Sequence, residues 1–322
     1  MTDRYLWDGS GEKDPEVARL EALLSRFRYD RPAPGVPIAS APVRWRTAAL
    51  AGAAALLLAA GSFFLAARLE RGPAWEIESL AGSPLVNDRA IGTESDARLA
   101  AGDWLATEDG ARARLTVADI GHVTVEEDSR LRLLASNPKE HRIELARGRI
   151  RASILAPPRL FFVETPAATA VDLGCAYTLD VDESGAGSLH VTFGWVSFER
   201  GGRESIVPRD GRCETRPGVG PGTPWFDDAS AAFRVALEAL DFGGGPGAGE
   251  GALDTILAEA RPRDTLTLWH LLARVGVADR DRVLGRIVAL VPACGRLPRE
   301  PLLALEAAAL GKLRSACEDA WY

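Results

Sequence analysis

The sequence predicts three structural parts: a single transmembrane helix, an all-β domain after it, and a small α-helical domain at the C-terminus. Three observations in the 322 residues support this fold class. Residues 47–67 are uncharged and mostly apolar. Between residues 74 and 225, apolar residues alternate with polar ones, as in strands that bury one face. From residue 226 to 322 the apolar residues recur at helical spacing instead.

The segment of residues 1–46 is predicted to contain an amphipathic helix over 14–27. Asp14 is a residue type that caps helices, and Pro15 suits the first helical position. One apolar stripe runs along this helix, and it consists of Val17, Leu20, Leu24 and Phe27. A helix of this length cannot bury the stripe alone, so we expect it to bind a partner protein, the membrane surface or nearby aromatic residues. The proline-rich stretch 31–42 is expected to be an extended tether.

The apolar run at 47–67 has 21 residues, and a helix of about 20 residues crosses the hydrocarbon core of a bilayer. A cleaved signal peptide would begin near residue 1, so the run is interpreted as a retained anchor. The alternative is a buried alanine-rich helix. Four Lys and Arg residues precede the run closely and two follow it, which predicts a cytoplasmic N-terminus. The bulk of the chain is then expected outside the inner membrane of a bacterium, in the periplasm or beyond.

Within the alternating region, one strand shows a change of phase. Leu189, Val191 and Phe193 are expected to share the buried face. After Gly194 the apolar set shifts by one position, to Val196 and Phe198. A shift of one residue at a glycine indicates a β-bulge, so Gly194 is expected to serve the backbone geometry.

Short motifs in the region 101–199 resemble, in their order and spacing, the FecR domain, the extracytoplasmic module of bacterial transmembrane regulators that accompany sigma factors. The matching residues are Gly102, Thr107, Gly148, Ile150, Val163, Thr165, Pro166, Gly174, Val191, Gly194 and Val196. The resemblance implies an antiparallel sandwich or a short β-solenoid. It also implies structural roles for the glycine, threonine and proline residues among these positions.

The chain departs from the family pattern in three places. Cys175 follows Gly174 where the family usually has threonine. The cytoplasmic segment is shorter than the anti-sigma domains usual in the family. The C-terminal helices do not look like the module through which iron-uptake members meet an outer-membrane transporter, so the resemblance implies no role in siderophore signalling.

The four cysteines all lie after the predicted anchor, and an oxidising compartment would allow two disulfide bonds. Sequence order suggests Cys175 with Cys213 and Cys294 with Cys317. Three pairings are possible, and four buried thiols are the alternative.

Five helical stretches are expected in residues 226–322. A glycine-rich linker at 243–251 separates the first stretch from the other four. Asp264 is expected to cap the helix that follows it. The stretches are 227–240, 252–260, 265–275, 279–290 and 299–318.

The sequence offers no motif for catalysis or for a metal or other cofactor. It contains no HExxH and no GxSxG, and its four histidines include no pair at metal-ligand spacing. The acidic run of Asp180, Asp182 and Glu183 could bind a cation, but a solvated hairpin turn is the preferred interpretation. A formal charge of −7 disfavours binding to nucleic acid.

Two hypotheses for the function follow. In the first, the protein is a single-pass regulator whose outer domain senses or scaffolds an envelope signal and whose cytoplasmic helix binds a sigma factor. In the second, it is an envelope structural or interaction protein that binds through its β domain and sends no signal across the membrane.

Overall fold

The computed structural model describes residues 14–28, 72–92, 97–243 and 251–322. They belong to two compact units, one within residues 1–60 and the other within residues 61–322. The first unit contains α1 (Pro15–Leu24), which continues as a 3-10 turn (Ser25–Phe27).

The run at 47–67, predicted to be a transmembrane helix, lies outside the described residues, as does the tether at 31–42. Among the helices that the structure describes, none is both long enough and apolar enough to span a bilayer.

The second unit begins with a large, curled β domain. Its strands are β1 (Trp75–Ala81), β2 (Leu85–Val86), β3 (Arg89–Ala90), β4 (Arg98–Leu99), β5 (Trp104–Thr107), β6 (Arg112–Val117), β7 (Gly121–Val125), β8 (Ser129–Asn137), β9 (Glu140–Ile154), β10 (Phe161–Glu164), β11 (Thr169–Asp172), β12 (Ala176–Val181), β13 (Gly187–Phe193), β14 (Trp195–Arg200), β15 (Arg203–Pro208), β16 (Gly211–Arg216), β17 (Gly220–Pro221) and β18 (Trp225–Phe226).

The strands form two sheets that share β9. The first sheet has the order β4-β1-β6-β7-β9-β12-β13-β16, with β17 and β18 both paired to β16. The second has the order β3-β2-β5-β8-β9-β10-β11-β14-β15. Among the described pairings only β9 with β10 is parallel. The β domain is therefore antiparallel almost throughout, as the resemblance implies.

Strand β9 changes its buried face where it passes from one sheet to the other. Ile143 and Leu145 point into the core in the first half, and Ile150 and Ala152 do so in the second. Side chains alternate along a strand, so this change needs a backbone irregularity between the two halves. Leu131 pairs with Leu145 and Arg130 with Arg147, which leaves Ala146 as the extra residue. Two positions later Gly148 faces the core, where φ is +94° and a Cβ atom would lie 2.3 Å from the Cα atom of Ser129. The shared core of both sheets thus depends on a residue without a side chain.

The C-terminal part of the second unit is helical. Its helices are α2 (Ala231–Phe242), α3 (Ala252–Glu259), α4 (Thr265–Leu272), α5 (Val277–Leu290), α6 (Arg299–Leu303) and α7 (Ala307–Glu318). They enclose a second apolar core that includes Phe226, Phe233, Leu266, Ile287 and Trp321.

Two expectations about the helices are wrong. The stretch 299–318 is two helices, because Leu305 adopts a positive φ of 59° between them. Asp264 makes no side-chain cap for α4. Its carboxylate instead accepts hydrogen bonds from the backbone N–H and the guanidinium of Arg261, and so closes the 3-10 turn Pro262–Asp264.

Phe193 is also placed differently from the expectation, since 58% of it is exposed. The bulge lies just before it: Val191 pairs with Tyr177 and Phe193 with Ala176, which leaves Thr192 as the extra residue. The hydroxyl of Thr192 donates to the carbonyl of Ala176 at 3.0 Å. The extra residue turns Phe193 away from the core.

The helices cover one edge of the second sheet. Strand β15 is the last strand of this sheet, and the Nε2 atom of His270 on α4 lies 3.3 Å from both the N–H nitrogen and the carbonyl oxygen of Ile206. Arg274 donates to the carbonyl of Glu204 at 3.1 Å. The side of β15 on which another strand would pair is therefore occupied by His270 and Arg274.

Candidate partner-binding site

The candidate partner-binding site is the apolar stripe of α1. The side chain of Asp14 accepts a hydrogen bond from the N–H of Glu16 at 2.8 Å and caps the helix. Residues three and four apart lie on one face of a helix, which aligns Val17 with Leu20 and Leu24. Phe27 follows in the 3-10 turn, and the Arg26 guanidinium lies 5.6 Å from its ring centroid.

The stripe is open to solvent. Leu20 is 58% exposed, Leu24 61% and Phe27 75%, whereas Val17 is half-buried. No residue of α1 is buried. Burying a large aliphatic or aromatic side chain is worth about 1.5 to 3 kcal/mol relative to leaving it in water. Covering these three side chains with another molecule is therefore favourable in free energy.

The motif residues of the β domain occupy turns and close crossings of the backbone. The Thr107 hydroxyl donates to the carbonyl of Glu126 at 2.5 Å and accepts from the N–H of Ser129 at 3.1 Å. It thereby ties the end of β5 to the turn before β8. Gly102 has a φ of +100° and donates to the carbonyl of Leu133 at 2.7 Å, which starts β5 in register with β8.

Thr165 and Pro166 form the turn between β10 and β11. The Thr165 hydroxyl donates to the carbonyl of Ala168 at 2.8 Å and accepts from its N–H at 3.0 Å. The carbonyl of Pro166 accepts a hydrogen bond from the guanidinium of Arg200. These contacts close the hairpin of β10 and β11.

Gly174 and Gly194 pack backbone against backbone. Gly194 has a φ of +72°, and a Cβ atom there would lie 2.2 Å from the carbonyl oxygen of Gly174. Beside this crossing the Cys175 thiol donates to the Asp172 carboxylate at 2.6 Å, and the N–H of Gly174 donates to the same carboxylate at 2.7 Å. Cys175 stands where the family usually has threonine, and its thiol gives the buried carboxylate of Asp172 a hydrogen-bond donor.

The predicted bond between Cys175 and Cys213 is wrong. Leu189 pairs with Leu179 on one side and with Cys213 on the other, so Cys213 lies two strands away from Leu179. Cys175 lies four residues before Leu179. Strand spacing and rise then put the two cysteine Cα atoms about 15 Å apart, and a disulfide bond requires less than about 7 Å. The Cys213 thiol instead donates to the carbonyl of Gly222 at 3.2 Å.

Cys294 and Cys317 lie together, as sequence order suggests, with their Sγ atoms 3.3 Å apart. All four cysteines are buried free thiols in the structure.

Sequence reasoning missed a polar junction between the β domain and the helices. Asp241 of α2 accepts from the Arg203 guanidinium at 2.8 Å and from the Thr223 hydroxyl at 3.0 Å. The Arg274 guanidinium donates to the hydroxyls of Thr223 and Ser205, each at 2.7 Å. Burial lowers the pKa of Arg274 to about 10, which leaves it charged at neutral pH. No spacing in the sequence indicates this junction, because its members come from four separate segments.

The described residues contain no cluster of three or more His, Cys, Asp or Glu side chains that could hold a metal ion. Asp182 accepts hydrogen bonds from the N–H groups of Ser184 and Ala186, so it shapes the hairpin turn after β12. Burial lowers the pKa of His270, and its ring is committed to the edge of β15.

The family model described as FecR protein matches residues 103–197, from the start of β5 into β14. The chain therefore contains a FecR domain, as its motifs predict, and this match indicates no catalytic family.

Two crystal structures of a candidate anti-sigma factor from Parabacteroides distasonis are similar to the chain at 15% identity, with a TM-score of 0.34. The similarity covers 42% of this chain and 64% of that one. A likeness of this size carries no argument about function. No curated protein matches the chain.

Proposed function

We propose that the protein is a single-pass regulator of the bacterial inner membrane, with its N-terminus in the cytoplasm and its FecR domain and C-terminal helices outside. In this proposal the apolar stripe of α1 binds a sigma factor, and the state of the outer domain determines whether the stripe is available. The observation that carries the proposal is the exposed stripe on a capped helix in a chain that contains a FecR domain.

Three features support a protein as the occupant of the stripe. The helix is short and amphipathic, and helices of this kind bind in apolar grooves through anchors at spacings of three and four. Its cap is formed within the segment, so the helix is set before binding and less ordering is needed on contact. The stripe also lies in the part of the chain that sequence reasoning assigns to the cytoplasm, where sigma factors act.

The proposal predicts that acidic residues in the stripe abolish binding. In the full-length protein, Leu20→Asp together with Leu24→Asp places two charges in the contact, and we expect the affinity for the sigma factor to fall at least about 100-fold, because a few apolar anchors dominate such interfaces. The measurement is co-purification of each sigma factor of the host with the full-length chain in detergent.

The matched control is Arg19→Asp with Ala22→Asp. Both positions are exposed and lie on the other side of α1, and the pair adds more negative charge than the test pair. We expect it to keep affinity within about threefold. If no sigma factor binds the native chain, or if both pairs weaken binding equally, the stripe is not the contact. The protein then acts as an envelope interaction protein through its outer domain.

A further inference from the structure

Two buried thiols face each other in the helical region. Cys294 lies in the 3-10 turn Pro292–Arg296 and Cys317 in the last turn of α7, and they are 1% and 0% exposed. Their Sγ atoms are 3.3 Å apart. A disulfide bond has a length of about 2.05 Å, so the sulfur atoms need to approach by only about 1.2 Å.

The other two cysteines differ from this pair. The thiols of Cys175 and Cys213 each donate to an oxygen atom within the β domain, and register places them too far apart to bond. They therefore serve as an internal reference for thiols that stay reduced.

We propose that Cys294 and Cys317 form a disulfide bond as the protein folds. The two thiols lose two protons and two electrons to an oxidant that is itself a protein or small-molecule disulfide, which is reduced to two thiols. The exchange proceeds through a mixed disulfide with one cysteine, which the thiolate of the other resolves.

The timing follows from burial. Burial raises the pKa of both thiols, and the thiolate is the form that attacks a disulfide. Exchange is therefore slow once the two cysteines are enclosed, and the bond forms before the site closes. The same enclosure protects the finished bond from reductants.

The bond would anchor the end of the chain against the β domain. Beyond Cys317, the indole N–H of Trp321 donates to the Thr265 hydroxyl at 3.0 Å. The Trp321 ring centroid lies 5.9 Å from that of Trp195, a residue of β14. A covalent link between α7 and the preceding 3-10 turn holds this contact in place without any change in the FecR domain.

The first experiment counts thiols. Full-length protein is acid-quenched in its native host, unfolded and alkylated with N-ethylmaleimide, and its mass is measured. We expect two additions, at Cys175 and Cys213, and a linked peptide pair that contains Cys294 and Cys317. Four additions would overturn the proposal.

The second experiment separates a bond from simple packing. Reducing the unfolded protein before refolding should lower its thermal midpoint by about 5 to 10 °C, the effect typical of losing a bond across a loop of this size. Cys294→Ala with Cys317→Ala should show no difference between reducing and oxidising refolding, whereas Cys213→Ser should show the full difference. A wild-type midpoint that is the same under both conditions would contradict the bond, whatever the stability of the variants. The bond rests on one part of the proposed function, the location of the helices outside the inner membrane, because an oxidising compartment allows it to form. Neither experiment involves sigma-factor binding, so a failure of that binding leaves both results unchanged.

Discussion

At residue 172 a carboxyl group is enclosed in the β domain. Asp172 is 1% exposed and accepts hydrogen bonds from the Cys175 thiol and the N–H of Gly174. Neighbouring Tyr177 is buried too, and its hydroxyl has no hydrogen-bond partner in the described part of the chain. Burial raises the pKa of Asp172 to about 6, because the charged form loses its hydration.

This raised pKa predicts a stability that depends on pH. A carboxyl group whose pKa is higher in the folded state favours folding fully below its unfolded pKa of about 4, and that contribution is lost as pH rises through about 6. We therefore expect Asp172→Asn to gain stability relative to wild type between pH 4 and pH 8, by about 2 to 3 kcal/mol. Urea unfolding at both pH values measures the difference.

The control for this prediction is Asp182→Asn. Hydrogen bonds from Ser184 lower the pKa of Asp182, and the stability that a lowered pKa gives is lost only as pH falls below the unfolded pKa of about 4. This variant should therefore change little relative to wild type between pH 4 and pH 8. A stability difference between wild type and Asp172→Asn that is the same at both pH values would show that the carboxyl group titrates normally.

Individual residues were predictable where the backbone alone decides their role. The one-residue change of phase predicted a bulge beside Gly194, and the extra residue is Thr192. Gly194 itself has a positive φ and a close contact with Gly174, as its expected role in the backbone geometry implies. The distance between Cys175 and Cys213 was not predictable, because it depends on which strands lie between them. The burial of Asp172 was also hidden, since the pattern around it is that of an ordinary strand end.

At the scale of elements, the contact between α4 and β15 is open to test. Replacing His270 by Leu keeps an apolar body but leaves the N–H of Ile206 without its partner. A buried donor without a partner costs about 1 to 3 kcal/mol, so we expect the free energy of unfolding to fall by this amount. Equilibrium unfolding of the full-length chain measures it.

His122→Leu is the control, because His122 is exposed on β7. We expect it to change stability by less than about 0.5 kcal/mol. Equal effects of the two substitutions would mean that the bond to β15 contributes nothing measurable.

Element type followed from periodicity, and element ends did not. Alternation located the strands around Leu115, Val123 and Ile150, which are all fully buried. The predictions that failed at element ends concern Asp264 and Leu305. Asp264 is a good helix cap by type, but Arg261 offers its carboxylate a charged partner. Leu305 carries no signal for the turn that it makes, because a positive φ is uncommon for residues other than glycine.

For the whole molecule, the prediction with the widest consequence is its topology. Reporters fused after Pro42 and after Tyr322 should report the cytoplasm and the exterior respectively, because the run at 47–67 is long enough to span and more basic residues precede it than follow it. Deleting residues 47–67 should bring both reporters into one compartment. Identical signals from the two undeleted fusions would exclude a single span.

The covered edge of β15 limits the ways in which the β domain can bind other molecules. In the described chain the second sheet ends at β3, which has two residues, and at β15, whose outward side is occupied by His270 and Arg274. Pro208 at the end of β15 has no N–H to offer. An extended peptide therefore finds no free ladder on this sheet, and recognition by strand addition is closed to it. A molecule that binds the second sheet must therefore contact side chains on the face of the sheet and in its loops.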